Sequence, residues 1–237
     1  RVGRSSPSFV FEDGELFNKK KTRLIRCFQS SNETYTIPDT VQTIDDHAFS
    51  DLVTLKAINM PESVESIGKS AFWNCISLTE IELPPFIKAI SKDLFRSCKR
   101  LETVVIPNTV TSIWDFAFEH CTNLKSISIP DSVTFIGKYA FGYCLNLDSV
   151  VIPESVDFIG EGAFSHCTRL TSFTIPKRVT CLEEKIFQGC RKLASVTIPD
   201  SVTSICIGAL SGTGLTSVII PASVTTIDAM AFANCHH

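Results

Sequence analysis

The stretch IPDSVTFIGKYAFGYCLNLDSVVIP, from Ile129 to Pro153, contains one complete unit of a repeat that runs along most of the sequence. On both sides of it, a proline preceded by an apolar residue returns every 23 positions. These prolines are Pro38, Pro61, Pro84, Pro107, Pro130, Pro153, Pro176 and Pro199, followed by Pro221 after a step of 22. A fixed period of this length is typical of a solenoid, in which each coil buries its apolar side only against neighbouring coils.

Further columns keep the same phase as the prolines, so the period belongs to the fold and not to a single recurrent residue. Aliphatic residues stand three and six positions after each proline, as Val133 and Ile136 do after Pro130. A bulky column follows and consists of Phe49, Phe72, Phe95, Phe118, Phe141, Phe164, Phe187, Leu210 and Phe232. Before the next proline, apolar and polar residues alternate, which is the period of a β-strand. Proline ends that strand because it has no N–H for a ladder hydrogen bond.

The unit from Ile129 to Val150 reads Ile-Pro-x-Ser-Val-Thr-x-Ile-Gly-x-x-Ala-Phe-x-x-Cys-x-x-Leu-x-x-Val and closely resembles the BspA-like class of leucine-rich repeats. The likeness extends over residues 32–237, as about nine 23-residue repeats of which the last is incomplete. It implies a right-handed leucine-rich-repeat coil with a parallel β-sheet on one face and with short second strands and short helical turns elsewhere. Residues 1–31, with the turn signal Asp13-Gly14, look like the hairpin that caps such arrays at the N-terminus.

Length and composition narrow the classes of function. The 237 residues have a formal net charge of −3, which gives no basic surface for nucleic acid. No apolar run reaches the roughly 18 residues of a membrane span, so we expect none in this part of the protein. The chain begins at Arg1 without a signal segment and its repeat stops in mid-coil at Cys235, so we expect more repeats or another domain in the natural protein. His236 and His237 are either natural residues or the start of a purification tag.

The sequence contains 10 cysteines, and their placement argues against both disulfides and metal binding. Seven of them lie in one column, three residues after the bulky position: Cys75, Cys98, Cys121, Cys144, Cys167, Cys190 and Cys235. Rungs about 4.8 Å apart leave the Cβ atoms too distant for a disulfide. Zinc needs four ligands around one point, whereas a column offers them along a line. We therefore predict reduced, buried thiols and no metal ion, and we do not expect a bond between Cys181 and Cys206, which lie in different columns of adjacent coils.

No convergent set of catalytic residues is found in the sequence. The triplet Gly68–Ser70 resembles the end of a phosphate-binding loop, but Ser63 stands where that motif requires glycine. The pairs His120–Cys121 and His166–Cys167 resemble nucleophile pairs, yet adjacent residues on a coil point apart, with cysteine inward and histidine outward. We therefore predict that this chain is not an enzyme, has no catalytic residues and needs no cofactor.

Aromatic residues gather in coils four to six at positions where other coils carry serine, lysine or threonine. They are Trp114, Phe116, Phe135, Tyr139, Tyr143 and Phe158. Neighbouring coils would bring them into one patch, and exposed aromatic clusters tend to be interaction sites. We predict a partner-binding patch here; the alternative is a second layer of rings over the phenylalanine column. A second, acidic patch on the strand face is predicted from Glu80, Glu82 and Glu102, with solubility alone as the alternative.

The resemblance implies a non-enzymatic protein–protein interaction module within a secreted or cell-surface adhesin or host-interaction protein. Its partner would be a protein, for example one of the extracellular matrix or of a host cell surface. Two alternatives stay open. One is a cytoplasmic assembly scaffold, which unpaired cysteines favour because oxidising compartments form disulfides. The other is the targeting region of a larger enzyme.

Overall fold

A computed structural model describes residues 6–29, 31 and 33–235 as a stack of coils preceded by a β-meander. Residues 1–5 of the predicted cap lie outside this range, as do His236 and His237, whose origin the sequence leaves open. The described residues form strands and turns, and none of them is helical, so the helical turns implied by the resemblance are turns without helix. The predicted leucine-rich-repeat solenoid is confirmed.

The strands are short and number 18 in the described part of the chain. In chain order they are β1 (Phe9–Glu12), β2 (Glu15–Asn18), β3 (Arg23–Cys27), β4 (Thr34–Thr36), β5 (Thr43–Ile44), β6 (Ala57–Asn59), β7 (Ser66–Ile67), β8 (Glu80–Glu82), β9 (Ala89–Ile90), β10 (Thr103–Val105), β11 (Ser112–Ile113), β12 (Phe135–Ile136), β13 (Phe158–Ile159), β14 (Ser172–Thr174), β15 (Cys181–Leu182), β16 (Ser195–Thr197), β17 (Ser204–Ile205) and β18 (Thr226–Ile227).

Two sets of parallel ladders join the coils. The two-residue strands pair from coil to coil, so that Ser112 lies opposite Phe135 and Phe135 opposite Phe158. The three-residue strands pair as β4 with β6, β8 with β10 and β14 with β16. Between β10 and β14, the ladder of three-residue strands is reduced to one isolated parallel bridge, between Ser128 and Val151. Parallel pairing of residues one period apart is the arrangement that the spacing of the prolines predicts.

The N-terminal strands join the first coil through the same kind of ladder. Strands β1 and β2 are antiparallel around Asp13 and Gly14, whose φ angles of 45° and 80° suit a two-residue hairpin turn. Strand β3 then pairs antiparallel with β2 and parallel with β5. Phe17 and Leu24 are buried against the solenoid, so the meander covers apolar surface of the first coil.

The phenylalanine column forms the centre of the core. Phe49, Phe72, Phe95, Phe118, Phe141, Phe164 and Phe187 are each 0% exposed. Consecutive rings are stacked, with centroids 5.3 Å apart and planes 5° apart for Phe118 and Phe141. Burial of a whole column of large side chains is the main stabilising term of such an array, because each coil contacts only its neighbours.

The cysteine column ties each coil to the one before it. The thiol of Cys98 donates to the carbonyl oxygen of Phe72 at 3.1 Å, and that of Cys121 donates to Phe95 at 3.1 Å. The carbonyl oxygen of Phe72 also accepts the backbone N–H of Cys75. Burial raises the pKa of the Cys75 thiol to about 12, so this thiol stays protonated and remains a donor. Six of the seven cysteines of this column are buried free thiols, as predicted, whereas Cys235 in the last coil is only partly buried.

Candidate protein-interaction surface

The aromatic residues predicted for the partner-binding patch lie on adjacent coils in three columns of neighbouring rings, called ring columns below. In the first ring column Phe135 and Phe158 are one period apart and stacked, with centroids 5.2 Å apart. Trp114, from the neighbouring repeat position, joins this column by packing on Phe135 with centroids 5.0 Å apart and planes tilted by 47°. Phe135 and Phe158 begin β12 and β13, and Trp114 follows the last residue of β11. Trp114 is 47% exposed and Phe158 is 37% exposed, so this column faces solvent.

The second ring column consists of Phe116 and Tyr139, whose centroids are 5.8 Å apart and whose planes are 8° apart. The Arg96 guanidinium lies 5.0 Å from the Phe116 centroid, within the range of a cation–π interaction. On the next coil, the Tyr139 ring lies over Gly162, where an added Cβ would come within 2.4 Å of the ring. Both rings are therefore fixed from both sides along the solenoid.

The third ring column consists of His120, Tyr143 and His166, with neighbouring ring centroids 4.6 Å apart in both pairs. Sequence reasoning assigned only Tyr143 to the patch and treated the two histidines as ordinary surface residues. The spacing of 23 residues on either side of Tyr143 is the signal that could have included them. Burial, aided by the charge of Arg191, lowers the pKa of His166, so its imidazole is neutral at neutral pH.

The backbone beneath the second and third ring columns has an unusual conformation. Phe116, Tyr139 and Tyr143 have φ angles of 59°, 49° and 59°. A positive φ is costly for a bulky side chain, by roughly 1–3 kcal/mol, and glycine avoids this cost. Every coil has the same two positive-φ positions, and Gly162 and Gly189 occupy two of them. Coils four to six thus place large rings where the backbone favours glycine.

Charged groups around the rings are largely paired. Arg96 forms ion pairs with Asp93 at 3.0 Å and with Glu119 at 2.7 Å. Lys138 pairs with Glu161 at 3.2 Å. Burial raises the pKa of Glu119, and the nearby Arg96 opposes that rise. The three ring columns therefore present an apolar surface whose rim has little uncompensated charge.

A groove of about 550 Å³ continues the third ring column beyond His166. At the positions that carry rings in the earlier coils stand Gly189, which the His166 ring covers, and Gly212. The sides of the groove include Gln188, Arg191 and Asn234.

The acidic residues predicted as a second patch are exposed on the other set of ladders. Glu80 and Glu82 lie in β8, opposite Thr103 and Val105, and Glu102 precedes β10. Glu102 lies 3.9 Å from Lys125, which offsets part of its charge. The cluster is thus less acidic than its sequence suggests.

The phosphate-loop resemblance has a structural explanation. A Cβ at Gly68 would lie 2.4 Å from the backbone nitrogen of Asp46, so the coil packing requires glycine there. The Asp46 carboxylate accepts the backbone N–H of Lys69 at 2.8 Å. These contacts hold two coils together and account for both residues without a bound phosphate.

Stacked coils, two sets of parallel ladders and an exposed surface of non-repeating residues define a leucine-rich-repeat solenoid. The family model described as BspA type leucine rich repeat region, in six copies, matches residues 25–147 and 111–237. The chain therefore belongs to the BspA-type leucine-rich-repeat family. A comparison with curated proteins gives no match.

Solved structures share this fold. A leucine-rich repeat protein from Bacteroides ovatus is 30% identical with a TM-score of 0.80, over 93% of this chain and 59% of that chain. The T. pallidum leucine-rich repeat protein is 25% identical with a TM-score of 0.61, over 84% and 85%. A leucine-rich cell surface protein from Faecalibacterium prausnitzii is 23% identical with a TM-score of 0.55, over 98% and 88%, a likeness of fold alone. This chain thus spans less than two thirds of the Bacteroides ovatus chain.

Within the described residues, the structure contains no helix of the length and apolar character that crossing a bilayer requires.

Proposed function

We propose that this chain is a protein-binding repeat module and that it contacts its partner through the three ring columns. Membership of a leucine-rich-repeat family supports a binding role, because solenoids present long continuous surfaces with variable residues on each coil. The observation that carries the assignment to this surface is that Phe116, Tyr139 and Tyr143 place rings at positive-φ positions where other coils carry glycine or a polar residue such as Ser70 or Asn74. The core does not need rings there, since glycine at Gly162 and Gly189 closes the coil equally well.

The chemistry of the ring columns specifies the kind of partner. Exposed tryptophan and tyrosine provide large, rigid contact areas, and such residues dominate the binding energy of many interfaces. The rim charges are paired, as Lys138 and Glu161 are, so electrostatic attraction contributes little. We therefore expect a protein that presents apolar side chains, bound with an affinity that changes little with salt concentration.

We place the protein outside the cell or on its surface, as part of an adhesin or host-interaction protein, because the BspA-like family is best known for such proteins. Unpaired cysteines would ordinarily favour a reducing compartment. Here the column thiols are buried and protonated, as Cys98 and Cys121 illustrate, and buried thiols react poorly with oxidants. The reduced state of these buried thiols is therefore compatible with an oxidising environment and does not by itself favour the intracellular scaffold.

The test replaces Trp114, Phe135 and Tyr139 together with serine. A matched control replaces Phe86, Val105 and Ile207, which are 56%, 50% and 46% exposed and lie outside the ring columns. Binding is measured against a panel of purified extracellular-matrix and cell-surface proteins, and folding is monitored by thermal unfolding. We expect the first variant to lose at least about tenfold in affinity, or about 1.4 kcal/mol, and the control to bind normally.

Equal affinity of both variants, with unchanged folding, would exclude the ring columns as the binding surface. If the parent protein binds no member of the panel, the adhesin assignment is wrong. Binding to cytoplasmic proteins only would favour the assembly scaffold instead.

A further inference from the structure

Cys181 and Cys206 lie outside the cysteine column and close to each other. Cys181 begins β15, and Cys206 directly follows β17 on the next coil. The parallel ladder pairs Cys181 with Ser204 and Leu182 with Ile205, so Glu183 comes opposite Cys206. The two sulfur atoms are 3.1 Å apart across the diagonal between the strands. Because side chains alternate along a strand, Cys181 and Glu183 point to the same face.

Glu183 completes a cluster of three metal-binding groups. The two sulfur atoms and a carboxylate oxygen of Glu183 all lie within 4.8 Å of one another, and all three residues are partly buried. In a tetrahedral zinc site, bonds of about 2.3 Å to sulfur and 2.0–2.2 Å to oxygen place the ligand atoms roughly 3.5 Å apart. Small side-chain rotations would bring the three groups to that spacing.

The surroundings of the cluster are acidic. Asp228 stands on the next coil in the same column as Cys206, where its backbone N–H donates to Ile205 at 2.9 Å. Among the ion pairs of the described residues, Glu184 is matched by Lys185 at 2.5 Å, whereas neither Glu183 nor Asp228 has a cationic partner. Two thiols and a carboxylate, with Asp228 on the next coil, offer the ligand types that a thiophilic cation prefers.

We propose that Cys181, Glu183 and Cys206 bind a divalent cation of the zinc class, with water as the fourth ligand. The sequence argument against metal binding concerned one column, in which ligands lie along a line. This cluster is different, because it combines two columns of neighbouring coils around a common point. Bound metal would cross-link the coils that follow the first ring column, since Cys181 stands 23 residues after Phe158.

The experiment uses Co²⁺ as the spectroscopic probe on the full chain, kept reduced with a phosphine. We expect one equivalent of Co²⁺ to produce thiolate-to-metal charge-transfer absorption, which Zn²⁺ then displaces. Cys181→Ser and Cys206→Ser should each abolish the band, and Glu183→Gln should weaken binding at least about tenfold. Serine already occupies both columns, at Ser204 and Ser91, so these variants are expected to fold. Cys235→Ser and Glu184→Gln are the matched controls and should bind as the parent does.

Three outcomes would overturn the proposal. One is the absence of the band in a parent protein whose two thiols react freely with a thiol reagent. Another is a band that survives either cysteine substitution. The third is a chain that has lost two hydrogens by mass, resists reduction and binds no Co²⁺, because the pair would then be a disulfide with sulfur atoms about 2.05 Å apart.

Discussion

The inner phenylalanine column and the outer ring columns contain the same kind of stack but differ in what the stack contributes. Inside, Phe118 and Phe141 have centroids 5.3 Å apart; outside, Phe135 and Phe158 have centroids 5.2 Å apart. The rise from coil to coil sets both distances. Phe118 is 0% exposed, however, whereas Phe158 is 37% exposed. Stacking therefore follows from the repeat, and exposure is what distinguishes a binding surface from a core.

The inner and outer columns also differ in repeat position and in backbone φ. The inner column lies at positions that nearly every coil fills with phenylalanine, so its side chains are part of the repeat. The outer residues Phe116 and Tyr139 share their column with Gly162 and with polar residues such as Ser70, and all four have positive φ. An aromatic residue thus stabilises the fold in the inner column and adds strain in the second ring column.

The largest expected effect is a fall in the free energy of unfolding at alkaline pH, caused by ionisation of the buried cysteine column. Burial raises the pKa of Cys75 and Cys190 from 9.0 to about 12 and raises the pKa of Cys121 well above its ordinary value. Because the folded-state pKa lies above the unfolded value, stability is fully present below pH 9 and falls as the pH rises towards 12. Each such thiol contributes about 1.4 kcal/mol per pH unit in that window.

Unfolding in urea at a series of pH values between 7 and 11 measures how steeply the free energy of unfolding falls with pH above pH 9. Cys121→Ala removes one thiol and should make the slope shallower by about 1.4 kcal/mol per pH unit. An identical slope in parent and variant would mean that the column thiols do not govern alkaline stability.

The next effect compares one ring from each region. Phe118→Ala should cost about 3–5 kcal/mol of unfolding free energy, because it leaves a cavity in the core. Phe135→Ala should cost about 0.5–1.5 kcal/mol, because it loses only stacking contacts at the surface. Denaturant unfolding measures both values, and similar costs would contradict the division into core and binding surface.

The smallest expected effect concerns backbone strain at Phe116, where φ is 59°. Phe116→Gly should be more stable than Phe116→Ala by about 1 kcal/mol, because alanine is strained at positive φ. At Phe135, which lies in a strand, the order should reverse by about 0.5–1 kcal/mol. Thermal unfolding of the four variants tests this, and alanine being preferred at both sites would remove the strain argument from the binding proposal.

Contacts between residues at the same repeat position on consecutive coils were predictable from the sequence. Contacts between residues at different repeat positions were less predictable. The phenylalanine and cysteine columns follow from the spacing alone, since Phe118 and Phe141 occupy equivalent places on consecutive coils. The aromatic residues of coils four to six were predicted from their departure from the repeat. The division of those residues into three ring columns, and the stacking of His120 and His166 on Tyr143, required side-chain directions.

The pair Cys181 and Cys206 marks the limit of sequence reasoning. The two residues are 25 positions apart, which is neither one period nor a multiple of it. Their contact depends on the lateral offset between neighbouring strands and on the alternation of side chains along each strand. Those quantities do not appear in the spacing of any single column, so the sequence could not show that the two sulfur atoms lie 3.1 Å apart.

The sequence by itself determined the solenoid, its period, its register and its family, because a repeat acts through contacts between identical positions, and those are visible in one dimension. Only the tertiary structure decided which variable side chains meet, since a meeting across columns depends on strand offset, backbone φ and side-chain direction. The aromatic surface and the acidic dithiol cluster both arise in this second way.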